Sequence, residues 1–144
     1  MTKETTTEEI TFECKNPAYA AGGTGRIDLE WRHPDYGWIP FTADPSDTEE
    51  HGRAIYAAAV RGDFGEVRQP SDAEVKALTA GRARAQRNRL LSDLDVIVGN
   101  PLRWASFTQE QQSEAAAYRQ ALLDVPQQPG FPLDIVWPTV PDFV

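Results

Sequence analysis

Two histidines, one cysteine and a glycine-rich loop carry the most obvious chemical potential in this chain. His33, His51 and Cys14, joined by a carboxylate, would offer donors suited to a metal ion. Their spacing lacks the tight pairs that mark such a site. Gly22-Gly23-Thr24-Gly25 has the glycine content of a phosphate-cradling loop, yet neither the lysine nor the helix of a P-loop follows it. Asp93 and Asp95 stand two apart at a predicted helix end and face different ways, which suits termination better than paired acid–base work. Ser, His and Asp are too scattered for a triad. The expectation is a non-enzyme with no catalytic residue, cofactor or metal. With Cys14 the sole cysteine, no intramolecular disulfide forms, and its place on an alternating strand reads as an inert thiol.

Chemistry gives way to adhesion in the second half. Trp104 and Phe107 fall in a predicted linker, and Phe131 and Trp137 in a C-terminal tail, all outside predicted regular elements. Aromatics of this size dominate interface energies when they enter a pocket. In the tail, Phe131, Leu133, Ile135 and Trp137 alternate with Pro132, Asp134, Val136 and Pro138, so one side is adhesive. Pro129, Pro132 and Pro138 remove backbone donors and resist both helix and central strand. Such a ribbon must lie on something. The partner-binding set read from the sequence is Trp104, Phe107, Tyr118, Leu122, Phe131, Leu133, Ile135 and Trp137. A competing reading makes the same aromatics the core of their own unit, because two helices alone are too small to fold unaided. Both hold if the tail closes the helices in the free protein and moves onto a client or a second copy.

The elements that must position these residues change period near Gln69-Pro70. Before it, Ile10, Phe12 and Cys14 alternate with polar residues, as do Ile27, Leu29 and Trp31, and each run predicts a half-buried strand. A loop over 16–25 separates them. His33-Pro34-Asp35-Tyr36-Gly37 predicts a turn into a third strand from Trp38 to Thr42. A helix is expected over about 47–61, started by a Ser46/Glu49 or Asp47/Glu50 capping box and stopped by Gly62. Residues 65–69 could add a short edge strand.

After it, Ser71 and Glu74 open a helix expected to end near Asp93, polar around its basic middle and firmly apolar only at Leu90, Leu91 and Leu94. That 72–94 helix also offers a surface for self-association. A linker over 95–107 leads to a second helix, capped by Thr108 and Gln111, with Ala115, Tyr118, Leu122 and Val125 on one stripe. Pro126 should force Val125 out of helical geometry, and Pro129-Gly130 should centre a type II turn. The fold class is therefore α+β: a small antiparallel sheet with one helix over 1–69, then a helical hairpin with an extended Pro-rich tail over 70–144.

The stretch from Ala83 to Asp95, read with Tyr118 to Pro138, resembles the phage tail assembly chaperone family. Its pattern is a basic helix ending R-N-x-L-L, a variable linker, then Y-R-Q-A-L-x-D-(I/V)-P-x-Q-x-G-F-P and W-P. The matches are Arg87, Asn88, Leu90, Leu91, Tyr118, Arg119, Gln120, Ala121, Leu122, Asp124, Pro126, Gln128, Gly130, Phe131, Pro132, Trp137 and Pro138. Where the family commonly has Ser/Thr-Asp-Trp after the leucines, this chain reads Ser92-Asp93-Leu94-Asp95, with Trp104 arriving later. The resemblance implies help in folding, trimerising or attaching a phage tail fibre protein, carried out in the host cytoplasm. The alternative is a structural piece of the tail, a fibre or baseplate accessory that stays in the virion.

Charge and hydropathy narrow the partners. The net charge is −8, and residues 1–50 carry 4 Lys+Arg against 11 Asp+Glu. That argues against nucleic acid, whose phosphates need clustered cations. Lys76, Arg82, Arg84, Arg87 and Arg89 form one basic stretch, read as a solvated face. Residues 1–9 do not resemble a signal peptide, and no apolar run approaches the ~20 residues that span a bilayer, so no membrane partner is expected.

Overall fold

The computed structural model describes residues 11–144 of the chain, so Ile10 of the first predicted strand lies outside the described residues. The chain divides into two compact units with the boundary at Ser71/Asp72. Each is described by itself. Among the described residues, no helix is long and apolar enough to cross a membrane.

The first unit is a three-stranded antiparallel sheet in sequence order, β1 (Cys14–Tyr19), β2 (Ile27–His33) and β3 (Gly37–Ala43), with helix α1 (Glu50–Arg61). The β2–β3 hairpin pairs without slippage from Ile27↔Ala43 to His33↔Gly37. Its loop, Pro34-Asp35-Tyr36, closes on Gly37 at φ 69°, a conformation that glycine adopts without strain. Alternation on β2 puts Ile27 and Leu29 into a core with Ala43, Ile55 and Ala59, and Trp31, Phe41 and Tyr56 pack around it.

β1 is displaced from its expected place. A loop is expected from Asn16, but the strand runs through Asn16-Pro17 to Tyr19 by means of a bulge between Lys15 and Ala18. Asn16 takes φ 56°, which its short polar side chain tolerates, and its amide donates to Glu30 Oε2 at 2.6 Å. Beyond the bulge the outer edge of β1 pairs with Arg68. The Arg68 N–H donates to Pro17 O at 3.0 Å, and the Tyr19 N–H donates to Arg68 O at 2.8 Å. The expected edge strand over 65–69 is thus a parallel bridge between Ala18 and Arg68.

α1 also starts differently. Neither expected capping box forms, and Glu49 at the N-cap makes no side-chain cap bond. The carboxylates upstream turn the chain instead: Asp44 Oδ1 accepts from the Ser46 N–H at 2.8 Å and Asp47 Oδ1 from the Glu49 N–H at 2.9 Å. The Ser46 N–H, and then Arg26 at 2.6 Å, hold the Asp44 carboxyl below the usual carboxylate range. The C-terminus is as expected, with Gly62 at φ 87° ending the helix and its N–H and that of Asp63 donating to Ala59 O and Ala58 O.

The second unit is helical: α2 (Asp72–Val98), α3 (Pro101–Ser106) and α4 (Gln109–Asp124), with a 3-10 turn at Val125–Gln127. α2 passes its expected end near Asp93, because Ile97 lies three residues beyond Leu94 and is buried on the same stripe. The expected linker over 95–107 is therefore mostly helix, broken only at Gly99-Asn100. Asn100 Oδ1 accepts from the Leu102 and Arg103 N–H groups, both at 3.1 Å, and Pro101 at N1 needs no donor. α4 opens with the expected capping box: Thr108 Oγ1 accepts from the Gln111 N–H, and Gln111 Oε1 accepts from the Thr108 N–H. The hairpin core is Leu94, Ala115, Tyr118 and Leu122, with Leu90 and Leu91 packed against it.

Two expectations about the end of α4 fail. Val125 stays in the right-handed helical region and is fully buried, so the chain continues for one 3-10 turn containing Pro126. The burial of Val125 outweighs the bias that a following proline imposes. The Gln128–Phe131 turn is closed by the Phe131 N–H donating to Gln128 O at 3.0 Å, but Gly130 lacks the positive φ that a type II turn requires.

Candidate functional site

The candidate site is the helical hairpin of the second unit with the C-terminal strap laid over it. Its base is built from period. Leu90, Leu94 and Ile97 recur at helical spacing on α2, and Ala115, Tyr118 and Leu122 on α4, so the two stripes meet. α3 is locked to α4 by the Gln112 amide, which donates to Trp104 O at 2.9 Å. Arg119 Nε lies 3.7 Å from Asp95 Oδ1, an exposed pair between α4 and α2. Tyr118 is 5% exposed, and burial, then the Asp93 charge, push its phenol above the usual range.

Above that base lies the strap. Phe131 sits under the Arg84 guanidinium, 5.1 Å from ring centroid to Cζ. At the far end Phe143 meets Phe107 edge-on at 5.1 Å, and Phe107 meets Trp104 at 6.0 Å. Phe107 precedes α4 and Phe131 follows it, so the strap returns along the length of α4, about 24 Å at 1.5 Å per residue. Phe143 and Val144 rest on the hairpin core.

Backbone pairing across the strap comes from Gln128. Its amide donates to Val136 O at 2.8 Å, and its Oε1 accepts from the Val136 N–H at 2.9 Å. One side chain thus satisfies both backbone groups of one residue, as a neighbouring strand would. At the turn below, the Asp134 N–H donates to Gly130 O at 2.7 Å. A Cβ on Gly130 would collide with the Asp134 carbonyl oxygen, so the turn demands glycine by close approach.

The strap departs from the expected alternation. Pro132 and Pro141 are buried and Ile135 and Pro138 half-buried, while Leu133, Asp134, Val136, Thr139 and Val140 are exposed. Pro132 and Leu133 lie in the turn closed by the Asp134 N–H, and that turn leaves Leu133 outward, 71% exposed. Beyond the turn, Ile135, Pro138 and Pro141 face inward three apart, the spacing of a polyproline II helix, and Pro138 and Pro141 fix φ near −65°. Trp137 is half-buried beside them, while Val136 and Val140 are exposed.

The eight residues read as partner-binding are thus distributed unevenly. Tyr118 and Leu122 are spent in the hairpin core and present no surface to a partner while the strap is down. Trp104, Phe107, Phe131, Ile135 and Trp137 are half-buried, and Leu133 is free. Trp104 lies inside α3 rather than in a linker. The site set omitted Gln128, Phe143 and Val144. Gln128 stood in the quoted motif, and an aromatic beside Pro141-Asp142 at the chain end was the available signal for the other two.

Residues 80–142 match the family model of the phage tail assembly chaperone protein. These residues make up under half of the chain and are similar to that family. No curated protein and no solved structure matches the chain. The match begins within α2 and contains the hairpin and nearly all of the strap, so the segment that carries the phage tail assembly chaperone pattern is the one that carries the site. In that pattern Leu90, Leu91, Tyr118 and Leu122 build the base, Gly130 allows the turn and Gln128 holds the strap.

In the first unit the residues considered for chemistry serve packing. His51 stacks on Trp31 at 5.3 Å, and His33 meets the same ring edge-on at 4.9 Å. His33 Nδ1 also accepts from the Asp35 N–H at 3.1 Å. The Gly22–Gly25 loop leads into strand β2 rather than into the helix that a phosphate-cradling loop precedes. An open groove of about 550 Å³ runs beside Phe12, Cys14, Ala57 and Phe64. Burial pushes the Cys14 thiol up to about 11, far from a nucleophile's range.

Proposed function

We propose that this protein is a phage tail fibre assembly chaperone: it binds a tail fibre protein in the host cytoplasm, assists its folding, trimerisation or attachment, and catalyses no reaction. The observation that carries the reading is the coincidence of the family match over residues 80–142 with the hairpin and strap. A strap with Leu133, Val136 and Val140 exposed carries more apolar surface than its own fold uses. Tail fibres are long, β-rich trimers whose strand edges wait unpaired during slow assembly, and an apolar extended ligand suits such edges. A net charge of −8 keeps a complex of this kind soluble.

The test is co-expression of a tail fibre protein from the same phage with and without this chain. A several-fold rise in soluble fibre trimer is expected. Equal trimer yields in the two cultures would refute the proposal. Mass spectrometry of purified particles supplies the second readout: a departing chaperone is absent, whereas a retained tail component is present in stoichiometric amount.

A further inference from the structure

We propose that the strap is a stand-in for the client: the hairpin face under it is the client site, and an extended apolar segment of the tail protein takes the place that residues 135–144 hold in the free chain. The inference rests on the chaperone reading above and names the surface and the chemistry of what it receives.

Three observations carry it. The face is already occupied by an extended apolar ligand, the chain's own strap, with Phe143 and Val144 on the core of Leu94, Ala115, Tyr118 and Leu122. That ligand is held lightly. Beyond Asp134, its hydrogen bonds to the rest of the unit among the described residues are the two at Gln128, and the Val144 N–H donates to Pro141 O within the strap. Its prolines forbid conversion into a paired strand, so no backbone ladder has to be broken to lift it. Finally, the Gln128 amide reads no side chain. It binds the N–H and C=O of whichever residue lies opposite, as a strand edge does in β-augmentation, and Val136 presents its own side chain to solvent. A client strand edge offers the same donor and acceptor without a proline. Displacement exchanges one extended apolar ligand for another over the same groove, so the cost of opening is offset by the client's contacts.

The account predicts that fixing the strap in place blocks binding. In the full-length chain carrying Cys14→Ser, residues Phe107 and Phe143 are replaced, Phe107→Cys and Phe143→Cys, and joined by a short bifunctional maleimide. The probe is a purified tail fibre protein from the same phage, captured on a surface in its unassembled state. The unbridged double variant binds and the bridged one loses at least tenfold in affinity. Equal binding by bridged and unbridged forms overturns the inference. A second variant, Gln128→Ala in the otherwise native chain, covers the case in which the double replacement damages the hairpin. The same two bonds are lost from the free strap and from the client complex, so client affinity should stay within about tenfold of native while protease cuts the free strap faster. A change in client affinity beyond about tenfold in either direction, or a strap cut no faster than the native one, overturns the assignment of that amide. Absence of binding by the native chain refutes the chaperone reading itself and takes the inference with it.

Discussion

Two glycine-to-alanine changes in the same unit should move its stability in opposite directions. At Gly81 on α2 an added Cβ meets nothing within 4 Å, and the residue lies on an exposed turn of the helix. Alanine there recovers the helix propensity that glycine gives up, about 1 kcal/mol. At Gly130 the added Cβ would collide with the Asp134 carbonyl oxygen and lie 2.9 Å from Asp134 Cβ and 3.1 Å from its carbonyl carbon. Two of those three atoms are backbone and cannot swing aside. Relief requires opening the turn, which costs about 1–3 kcal/mol as overpacking and endangers the 2.7 Å bond from the Asp134 N–H to Gly130 O. For a unit of this size, 1 kcal/mol corresponds to about 4–8 °C in Tm. Thermal unfolding followed by helical circular dichroism should show Gly81→Ala raised by about that much and Gly130→Ala lowered by as much or more. Limited proteolysis should cut the strap of Gly130→Ala first. A Gly130→Ala protein with native Tm and native strap protection would refute the close approach on which the site description depends.

Other outcomes follow from the same geometry. Leu122→Ala should cost about 2–5 kcal/mol, because the side chain is fully buried in a small core. Residues 72–144 hold only about 4–11 kcal/mol at the usual stability per residue, so urea unfolding should show a large loss. Tyr118→Phe should abolish an alkaline loss of stability. Its folded pKa is raised, so the contribution is intact below the ordinary tyrosine pKa and falls as pH rises through the folded value. A native-like alkaline transition in Tyr118→Phe would contradict that. Cys14, pushed to about 11, should have a thiolate fraction on the order of one in a thousand at pH 8 and react with a disulfide reagent mainly after unfolding. Rapid stoichiometric reaction of the folded chain would show the thiol exposed.

Much of the fold was legible because it rests on local signals. Alternation on Ile27-Leu29-Trp31, the Pro34–Gly37 turn, the Gly62 stop and the Thr108/Gln111 box each act within a few residues, and each stands where the sequence places it. The misreadings share a cause: a punctuating residue was overridden by what surrounds it. Asn16-Pro17 looked like a loop but is absorbed by a bulge that pairs outward with Arg68. Asp93 to Asp95 looked like a helix end, but Ile97 extends the buried stripe by another turn. Pro126 follows a Val125 too well buried to leave helical geometry. At the site, the alternation read over Phe131 to Trp137 is cut by the turn that ends at Asp134, and the proline spacing beyond it is the signal for the inward set Ile135, Pro138 and Pro141. The Gln128 clamp was hardest to foresee. It joins residues eight apart through a side chain that periodicity leaves unremarked.

The most direct measurement is amide hydrogen exchange on the full-length chain, alone and with a tail fibre protein from the same phage. The account predicts that the fibre protein slows exchange on the α2 and α4 faces around Leu94 and Leu122 while the strap amides from Ile135 onward exchange faster than in the free chain. Protection confined to residues 11–71, or a strap whose exchange is unchanged when the fibre protein is bound, would contradict it.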